Sequence, residues 1–543
     1  MTARGPIALR PPELVMQLNR MGAFHPTRLS FLRVLLRRMK RDAWRFDRPV
    51  FEIAADGTGC AVYGAHGPAR SYSLVCFAHD LPDEARSDRV IATRWDATFA
   101  LFDGVPSPDD LARLHRNVPL QEAGRVTASE LTLSRANRSV RLWDHVVGAL
   151  ADGRQPDQAR LAEVGYLMRT TAVYGSGKFG AADRLGIADR AEMAAPFQAE
   201  MLTVWLIRTF VTDLVEAMAA HRSPKAARLA PDLRRSLGIG NSTGLGMAPF
   251  LMNHPVLLNN WMSAREAALA RVRSQEKATP AVAAAFADAV AMARDNAMAW
   301  RSAHPVQMRK LADLRADLDK VAGFDLPDSR PWDAIWRWGE AALSFEGQEA
   351  LLSLLMEPHG DLVDDLIEGM SADEEAAFAI NGRMDLARLK GILDAAYASA
   401  EGPAARIWYI SADKLEPRLG AAGPDLAPYA QPWAPLRDAM ALRRDLEGRS
   451  GRVSEFLLDH PEHRHAVRRA QIVDRYPYAE IRGDTASADL LPIDMLRAKL
   501  SFFGASRFDP RSDRWVRINL FQGAPYPEDL AMGSAEEWAG GVP

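Results

Sequence analysis

The spacing of apolar residues changes twice along the chain. Between residues 50 and 103 apolar and polar positions alternate, whereas between about residues 108 and 400 the apolar positions recur every three to four residues. Alternation is typical of half-buried strands, and the longer spacing is typical of amphipathic helices. The remainder of the chain mixes the two patterns. The pattern therefore predicts three regions, 1–107, 108–401 and 402–543.

Four runs of the first region have strand character, and helices are expected before them in residues 11–46. The runs are separated by Asp-Gly, Gly-Pro and Pro-Asp turns, which are too short to contain crossover helices. Connections of this kind predict an antiparallel meander with one face packed on helices. The predicted strands cover residues 51–54, 60–63, 72–79 and 89–102.

The second region predicts a large helical body, in which the longest candidate helix covers residues 196–220. The third region predicts two strands and two helices. The expected fold class is therefore α+β and predominantly α-helical, with an N-terminal antiparallel β-meander packed on a large helical body and a small mixed α/β C-terminal part. The other predicted helices cover 142–150, 158–167, 264–273, 280–300, 307–321, 334–344, 348–356, 385–399, 437–446 and 491–503, and the late strands cover 405–410 and 515–521.

Composition narrows the class of protein. The 543 residues are 48% hydrophobic and 25% charged, which is ordinary globular composition, and the net charge of −3 argues against a dedicated nucleic-acid binder. No run approaches the roughly 18 apolar residues of a membrane span, and the N-terminal residues lack the apolar segment of a secretory signal. We therefore expect a cytoplasmic protein in which Cys60 and Cys76 are reduced and lie in strands. The sequence leaves a homo-oligomer open.

Two glycine-rich segments carry the candidate chemistry. Residues 236–255 contain four glycines and three small polar side chains within nine positions, and residues 165–184 contain G-x-G-x-x-G. Glycine permits sharp turns and a close approach of backbone N–H groups to a ligand. A dinucleotide fold further requires a second parallel strand after the helix, and no such strand is predicted after residues 196–220. A P-loop is not supported, because Ala172 and Phe179 occupy two of its defining positions.

The polar residues of these segments suit a small anionic substrate. Arginine and backbone N–H groups bind carboxylate or phosphate, and tyrosine, lysine or histidine transfers protons when its pKa is shifted. We therefore predict an enzyme, of lyase, isomerase or transferase type, that acts on a small carboxylate or phosphate metabolite by acid/base chemistry. Lys178 and Asn241 are expected to line one pocket. The predicted catalytic residues are Tyr174, Lys178 and His254, and the predicted substrate-binding residues are Arg169, Ser176, Asn241, Ser242 and Thr243.

Two other classes of function remain open at this stage. A flavin- or nicotinamide-dependent oxidoreductase would use the glycines to hold the phosphates of its cofactor. A non-enzymatic helical scaffold or regulatory protein would instead present a large exposed apolar face and no enclosed polar pocket. The sequence itself identifies no cofactor.

The histidines near residue 460 are expected to form a surface cluster that holds no metal. His460, Glu462, His463 and His465 are close in sequence, but their spacing is not HExxH. On a helix start His465 should point away from His460 and His463, and no fourth ligand is evident. We therefore expect the purified protein to carry no stoichiometric zinc or iron.

Overall fold

The computed structural model describes residues 7–17, 20–21, 24–85, 94–120, 126–170, 187, 189–242, 251, 254–300, 305–370, 377–397, 406–410, 417–421, 435–481, 492–504, 507–512 and 515–531. The chain divides into two compact units. Unit 1 contains residues 1–25, 244–501 and 510–516, and unit 2 contains residues 26–243, 502–509 and 517–543. Each unit is therefore assembled from stretches that are far apart in sequence.

Eleven strands occur in the described part of the chain. Nine of them form one sheet in the order β1-β2-β3-β4-β5-β6-β7-β11-β10, and β8 pairs with β9 in a separate two-stranded sheet. The strands are β1 (Arg45–Ile53), β2 (Gly59–His66), β3 (Ser71–Ala78), β4 (Ala97–Asp103), β5 (Glu130–Arg138), β6 (Tyr166–Thr170), β7 (Gly238–Ser242), β8 (Arg406–Ile410), β9 (Pro417–Ala421), β10 (Arg507–Ser512) and β11 (Trp515–Leu520).

Twenty α-helices occur in the same residues, and short 3₁₀ turns lie at Asp83–Ala85, Ala191–Met193 and Pro461–His463. The helices are α1 (Pro12–Val15), α2 (Phe31–Arg41), α3 (Pro108–Asn117), α4 (Trp143–Ala151), α5 (Gln158–Val164), α6 (Gln198–Arg222), α7 (Pro231–Ser236), α8 (Pro255–Arg273), α9 (Pro280–Ala299), α10 (Pro305–Ala322), α11 (Pro331–Ala342), α12 (Phe345–Met356), α13 (Gly360–Val363), α14 (Asp365–Glu368), α15 (Leu386–Tyr397), α16 (Pro435–Asp445), α17 (Val453–Asp459), α18 (Arg464–Arg475), α19 (Pro492–Phe503) and α20 (Pro527–Ala531).

The predicted antiparallel meander is confirmed in the first four strands. β1 pairs with β2, β2 with β3 and β3 with β4, and every pairing is antiparallel. Gly57 has a φ of 82° in the turn between β1 and β2, where a side chain would be strained. The last predicted strand began at residue 89, but β4 begins at Ala97, and residues 86–93 lie outside the described part. Cys60 and Cys76 lie in β2 and β3 as expected, although Cys60 is only half-buried.

The sheet extends beyond the meander into the region predicted to be helical. β5 pairs with β4 and β6 pairs with β5, and both pairings are antiparallel. β7 then lies parallel to β6, and β11 lies antiparallel to β7. The first part of the glycine-rich segment 236–255 is therefore a strand and not a loop, because residues 238–242 pair on both sides, whereas residues 243–250 lie outside the described part. The remaining predicted helices lie close to the observed ones, and the fold is α+β and predominantly helical.

Helix α6 is the central helix of unit 2. It connects β6 to β7 and contacts β2, β3, β4, β5, β6 and β7. Most of its side chains are buried, and the largest of them include Trp205 and Phe210. A helix that is buried on nearly all sides loses amphipathic periodicity, so its apolar run alone does not reveal which face contacts the sheet. None of the helices in the described residues is long and apolar enough to cross a membrane.

Unit 1 is largely helical and contains a buried group of charged side chains. The guanidinium of Arg10 donates to both carboxylate oxygens of Glu266, at 2.8 and 2.7 Å. Glu349 on α12 accepts hydrogen bonds from Arg265 on α8 and from Arg10, and Arg20 lies 3.9 Å from it. All five side chains are almost fully buried, so each charge depends on its partners for stabilisation.

Candidate functional site

The two glycine-rich segments begin on neighbouring strands of unit 2. β6 and β7 are parallel, with Arg169 opposite Gly240, so the carboxyl ends of both strands lie at one edge of the sheet. The expectation that no parallel strand follows helix α6, which speaks against a dinucleotide fold, is wrong, because β7 lies parallel to β6. The expectation failed because Gly238–Ser242 has few β-branched or aromatic residues.

Only some of the predicted site residues fall in the described part of the chain. Asn241 is buried, and its Nδ2 donates to the carbonyl oxygen of Thr170 at 2.9 Å, which ties β7 to β6. Arg169 is buried on β6, and Ser242 lies on β7 opposite Arg517. His254 precedes α8 and belongs to unit 1. Tyr174, Ser176, Lys178 and Thr243 lie outside the described residues, so the pocket shared by Lys178 and Asn241 stays a prediction.

A cavity of about 730 Å³ lies elsewhere in unit 2. Its walls come from residues 206–220 of α6, strands β1 and β2, residues 226–234 and the start of α20. This volume lies within the range of about 300–1,000 Å³ that is typical of small-molecule sites. The apolar part of the wall is formed by Phe46, Phe51, Leu206, Ala217, Ala220, Ala226, Ala227 and Pro527.

Asp213 on α6 organises the polar side of the cavity. Its Oδ2 accepts hydrogen bonds from Arg48 at 2.7 Å and from the Tyr63 hydroxyl at 2.8 Å. Burial raises the pKa of Tyr63 well above its usual value, and the Asp213 carboxylate raises it further. Burial lowers the pKa of Arg48, but the charges and hydrogen bonds of Asp213 and Tyr63 together outweigh burial and raise it. Tyr63 and Arg48 therefore stay protonated donors at neutral pH.

Arg234 is held against a second wall of the cavity. Its guanidinium lies 3.4 Å from Asp213 Oδ1, pairs with Glu528, and lies 4.1 Å from the centre of the Tyr526 ring. Burial disfavours the charge on Arg234, but Tyr526, Glu528 and Asp213 together raise its pKa. The ion pairs thus hold the charged side chains of this wall in place, which preorganises the wall for a polar ligand.

Glu216 lies one turn beyond Asp213 on the same helix and lines the cavity. One carboxylate oxygen accepts the backbone N–H of Leu229 at 3.0 Å. Burial raises the pKa of Glu216, and the Leu229 N–H, Arg234 and Arg228 only partly oppose the shift. A half-buried carboxyl group with a raised pKa holds its proton more readily than an exposed one, which suits it to accept or release a proton.

Arg228 is a positively charged residue of the cavity wall that takes no part in the ion pairs described above. Its side chain lines the cavity and is exposed. Among the described residues no hydrogen bond or ion pair to its guanidinium is formed, although its charge lowers the pKa of Glu216. A guanidinium binds a carboxylate or a phosphate through two parallel hydrogen bonds. Arg228 and Glu216 thus place an anion-binding group beside a group that can transfer a proton.

This cavity cannot be identified from local sequence patterns, because its walls come from five separate stretches of the chain. One signal was present in the sequence. Asp213 and Glu216 lie three residues apart in a helix that is rich in apolar residues, and this spacing places both carboxyl groups on one face. None of the described residues that line the cavity is histidine or cysteine, so the lining lacks the nitrogen and sulfur ligands that zinc favours.

Comparison with protein-family models, with curated protein sequences and with solved structures gave no match for this chain.

Proposed function

We propose that the protein is an enzyme that acts on a small carboxylate or phosphate metabolite by acid/base chemistry in the cavity of unit 2. The observation that carries this proposal is the pairing of Glu216, whose pKa is raised, with the exposed Arg228 in one ligand-sized cavity. An enzyme of this kind needs an anion anchor and a proton-transfer group within reach of one substrate.

The remaining lining residues have roles that follow from their contacts. Arg228 binds the anionic group, and the apolar wall around Phe46 and Leu206 receives the carbon skeleton. The Asp213 carboxylate holds Arg48 and Tyr63 in fixed orientations, so the remaining N–H groups of Arg48 are available to a polar substituent. Glu216 then takes a proton from the substrate or returns one to it.

The binding half of the proposal is tested with two simple anions. Inorganic phosphate and succinate are titrated separately into the purified protein, and the melting temperature is recorded. A ligand at about 100 times its Kd adds about 2.7 kcal/mol to the stability of the folded state, which raises the melting temperature. We expect at least one anion to stabilise the protein and Arg228→Ala to abolish that increase. Arg222→Ala is the matched control, because Arg222 is exposed at the end of α6 and does not line the cavity.

Stabilisation that survives in Arg228→Ala, or the lack of stabilisation by either anion, would count against an anion site in this cavity.

The proton-transfer half is tested by hydrogen exchange at carbon. The protein is incubated in D₂O with malate, aspartate or glycerol 3-phosphate, and loss of the C–H signal is followed by NMR. We expect exchange with one of these probes and a reduction of about 10²–10⁴-fold in Glu216→Gln, the usual contribution of a general acid or base. Because glutamine keeps the shape of glutamate, Glu216→Gln should retain the anion-dependent increase in melting temperature. Exchange at the wild-type rate in Glu216→Gln would contradict the role of this carboxyl group.

A nicotinamide- or flavin-dependent oxidoreductase is the second candidate function, and the parallel arrangement of β6, α6 and β7 favours it. A dinucleotide fingerprint opens directly from its glycines into a helix, and residues 171–186, which contain the glycines of 175–180, lie outside the described part of the chain. Titration with NADH and with FAD, followed by fluorescence, tests this alternative. Stoichiometric binding of either cofactor would place this function ahead of the first.

A further inference from the structure

Two histidines and two carboxylates of unit 1 converge at the junction of three short elements. Asp445 is the last residue of α16, His460 follows the end of α17, and Glu462 and His463 lie in the 3₁₀ turn after it. One nitrogen or oxygen atom of each residue lies within 4.8 Å of the corresponding atoms of the other three. Residues from two separate stretches of the chain thus bring four metal-ligand groups together.

These four groups already contact one another in pairs. His463 Nε2 lies 2.6 Å from Asp445 Oδ2, and His460 Nδ1 lies 3.1 Å from Glu462 Oε1. The two imidazole rings are 6.1 Å apart between their centres. The two pairs are themselves neighbours, because the potential ligand atoms of all four residues lie within 4.8 Å of one another, so one cation could contact both pairs.

Aromatic packing fixes the two imidazole rings. The Phe456 ring is stacked on His460, with 4.9 Å between the ring centres, and on His463, with 5.8 Å between them. His463 is buried, and its backbone N–H donates to the carbonyl oxygen of His460. Ligands whose rotamers are held by packing bind a metal at a lower entropic cost than freely rotating ones.

We propose that Asp445, His460, Glu462 and His463 form a zinc site. Two imidazole nitrogens and two carboxylate oxygens are a ligand set that Zn²⁺ accepts in tetrahedral geometry, with bond lengths of about 2.0–2.2 Å. Asp445 and Glu462 are exposed, so their side chains can move inward to close the present spread of 4.8 Å. The ion would join the end of α16 to the turn after α17 and stabilise this part of unit 1.

This proposal replaces the expectation of a cluster that holds no metal. That expectation depended on the missing fourth ligand and on the orientation of His465. The structure supplies the fourth ligand as Asp445, which lies on an earlier helix and cannot be identified from the spacing of the histidines. His465 lies outside the four-residue group, as the sequence predicted, and therefore provides a matched control.

The experiment measures zinc binding to the full-length protein. The chain is first treated with EDTA and dialysed, and Zn²⁺ alone is then titrated by calorimetry. We expect one Zn²⁺ per chain, and we expect Asp445→Asn and His460→Gln each to weaken binding by more than about 100-fold, the upper end of the loss caused by removing an outer-shell partner. His465→Gln should bind Zn²⁺ as the wild type does.

A second readout separates loss of the site from loss of the fold. Zn²⁺ should raise the melting temperature of the wild type and of His465→Gln, and it should leave Asp445→Asn unchanged, while the metal-free proteins have matching circular dichroism spectra. Absence of stoichiometric Zn²⁺ in the wild type would overturn the proposal. Retention of wild-type affinity in both Asp445→Asn and His460→Gln would overturn it equally, since the four residues would then only form two ion pairs.

Discussion

At the scale of single residues, the charges buried in unit 1 have the largest expected effect on stability. Glu349 is fully buried and lies beside Arg10, Arg20 and Arg265. Burial alone would raise the pKa of Glu349, but the three guanidinium groups reverse this effect and lower it. Breaking a buried ion pair from one side costs about 3–5 kcal/mol, because the partner charges lose their compensation.

The first prediction is therefore that Glu349→Gln lowers the free energy of unfolding by about 3–5 kcal/mol at pH 7, as measured by urea denaturation. The exposed Glu447 provides the control, since Glu447→Gln should change the free energy by less than about 0.5 kcal/mol. A loss below about 1 kcal/mol in Glu349→Gln would show that the three arginines do not depend on this carboxylate.

The stability that Glu349 contributes should decrease in acid. Because the folded-state pKa of Glu349 is below the ordinary value of 4.5, its contribution is fully present above pH 4.5 and is lost as the pH falls through the folded-state value. Glutamine does not titrate. As the pH falls below 5, the free energy of unfolding should therefore decrease less in Glu349→Gln than in the wild type. An equal decrease in the free energy of unfolding of both proteins over this pH range would show that the pKa of Glu349 is not lowered in the folded state.

Individual residues were harder to predict from the sequence than elements. Arg228 and Glu216 have no sequence motif, and they become neighbours only because residues 226–234 fold back along α6. Asp445 is separated from His460 by an entire helix. By contrast, the placement of Cys60 and Cys76 in strands needed only the local alternation of the first sheet.

At the scale of elements, local patterns predicted the antiparallel meander and most helices, but not the parallel pairing of β6 and β7. Antiparallel neighbours joined by short turns are close in sequence, so their alternation and turn residues are sufficient to predict them. β6 and β7 are separated by α6, and Gly240 has no side chain to signal a strand. The glycine is nevertheless required there, since a Cβ at residue 240 would lie 2.7 Å from the Tyr166 ring.

The second prediction is that Gly240→Ala lowers the free energy of unfolding by about 1–3 kcal/mol, the usual cost of overpacking a core. Gly148→Ala provides the control, because a Cβ at Gly148 in α4 has no neighbour within 4 Å. Alanine there should stabilise the helix by about 0.5–1 kcal/mol. A neutral or stabilising effect of Gly240→Ala would mean that β7 does not lie against Tyr166 as the parallel pairing requires.

At the scale of the whole chain, unit 2 depends on residues from the C-terminal end of the sequence. Two of the three stretches that form unit 2 follow residue 501. β11 pairs with β7, and the carbonyl oxygens of Ala524 and Pro525 accept hydrogen bonds from the buried Arg208 and Trp205 of α6. A purely local reading of the sequence cannot find such a dependence, because the partners are separated by about three hundred residues.

The free energies of the contacts made by residues after 504 indicate how strongly unit 2 depends on them. Truncation after residue 504 removes β10, β11 and α20, and it uncovers β7 and part of α6. Each buried donor that loses its acceptor costs about 1–3 kcal/mol, and each buried side chain lost, such as Ile518, Leu520 or Phe521, costs about 1.5–3 kcal/mol. Together these losses reach the entire stability of an ordinary domain, which is about 5–15 kcal/mol.

The third prediction is that the chain truncated after residue 504 loses amide-exchange protection throughout β7 and no longer gains stability from the anion that stabilises the full-length protein, since Glu528 is also a wall of the cavity. A peptide of residues 505–531 added in trans should restore the protection of β7. The same peptide with Ile518→Asp should not restore it, because Ile518 is buried opposite Asn241. Equal protection of β7 in the truncated and full-length chains would show that α6 and the preceding strands form a stable unit without the C-terminal strands.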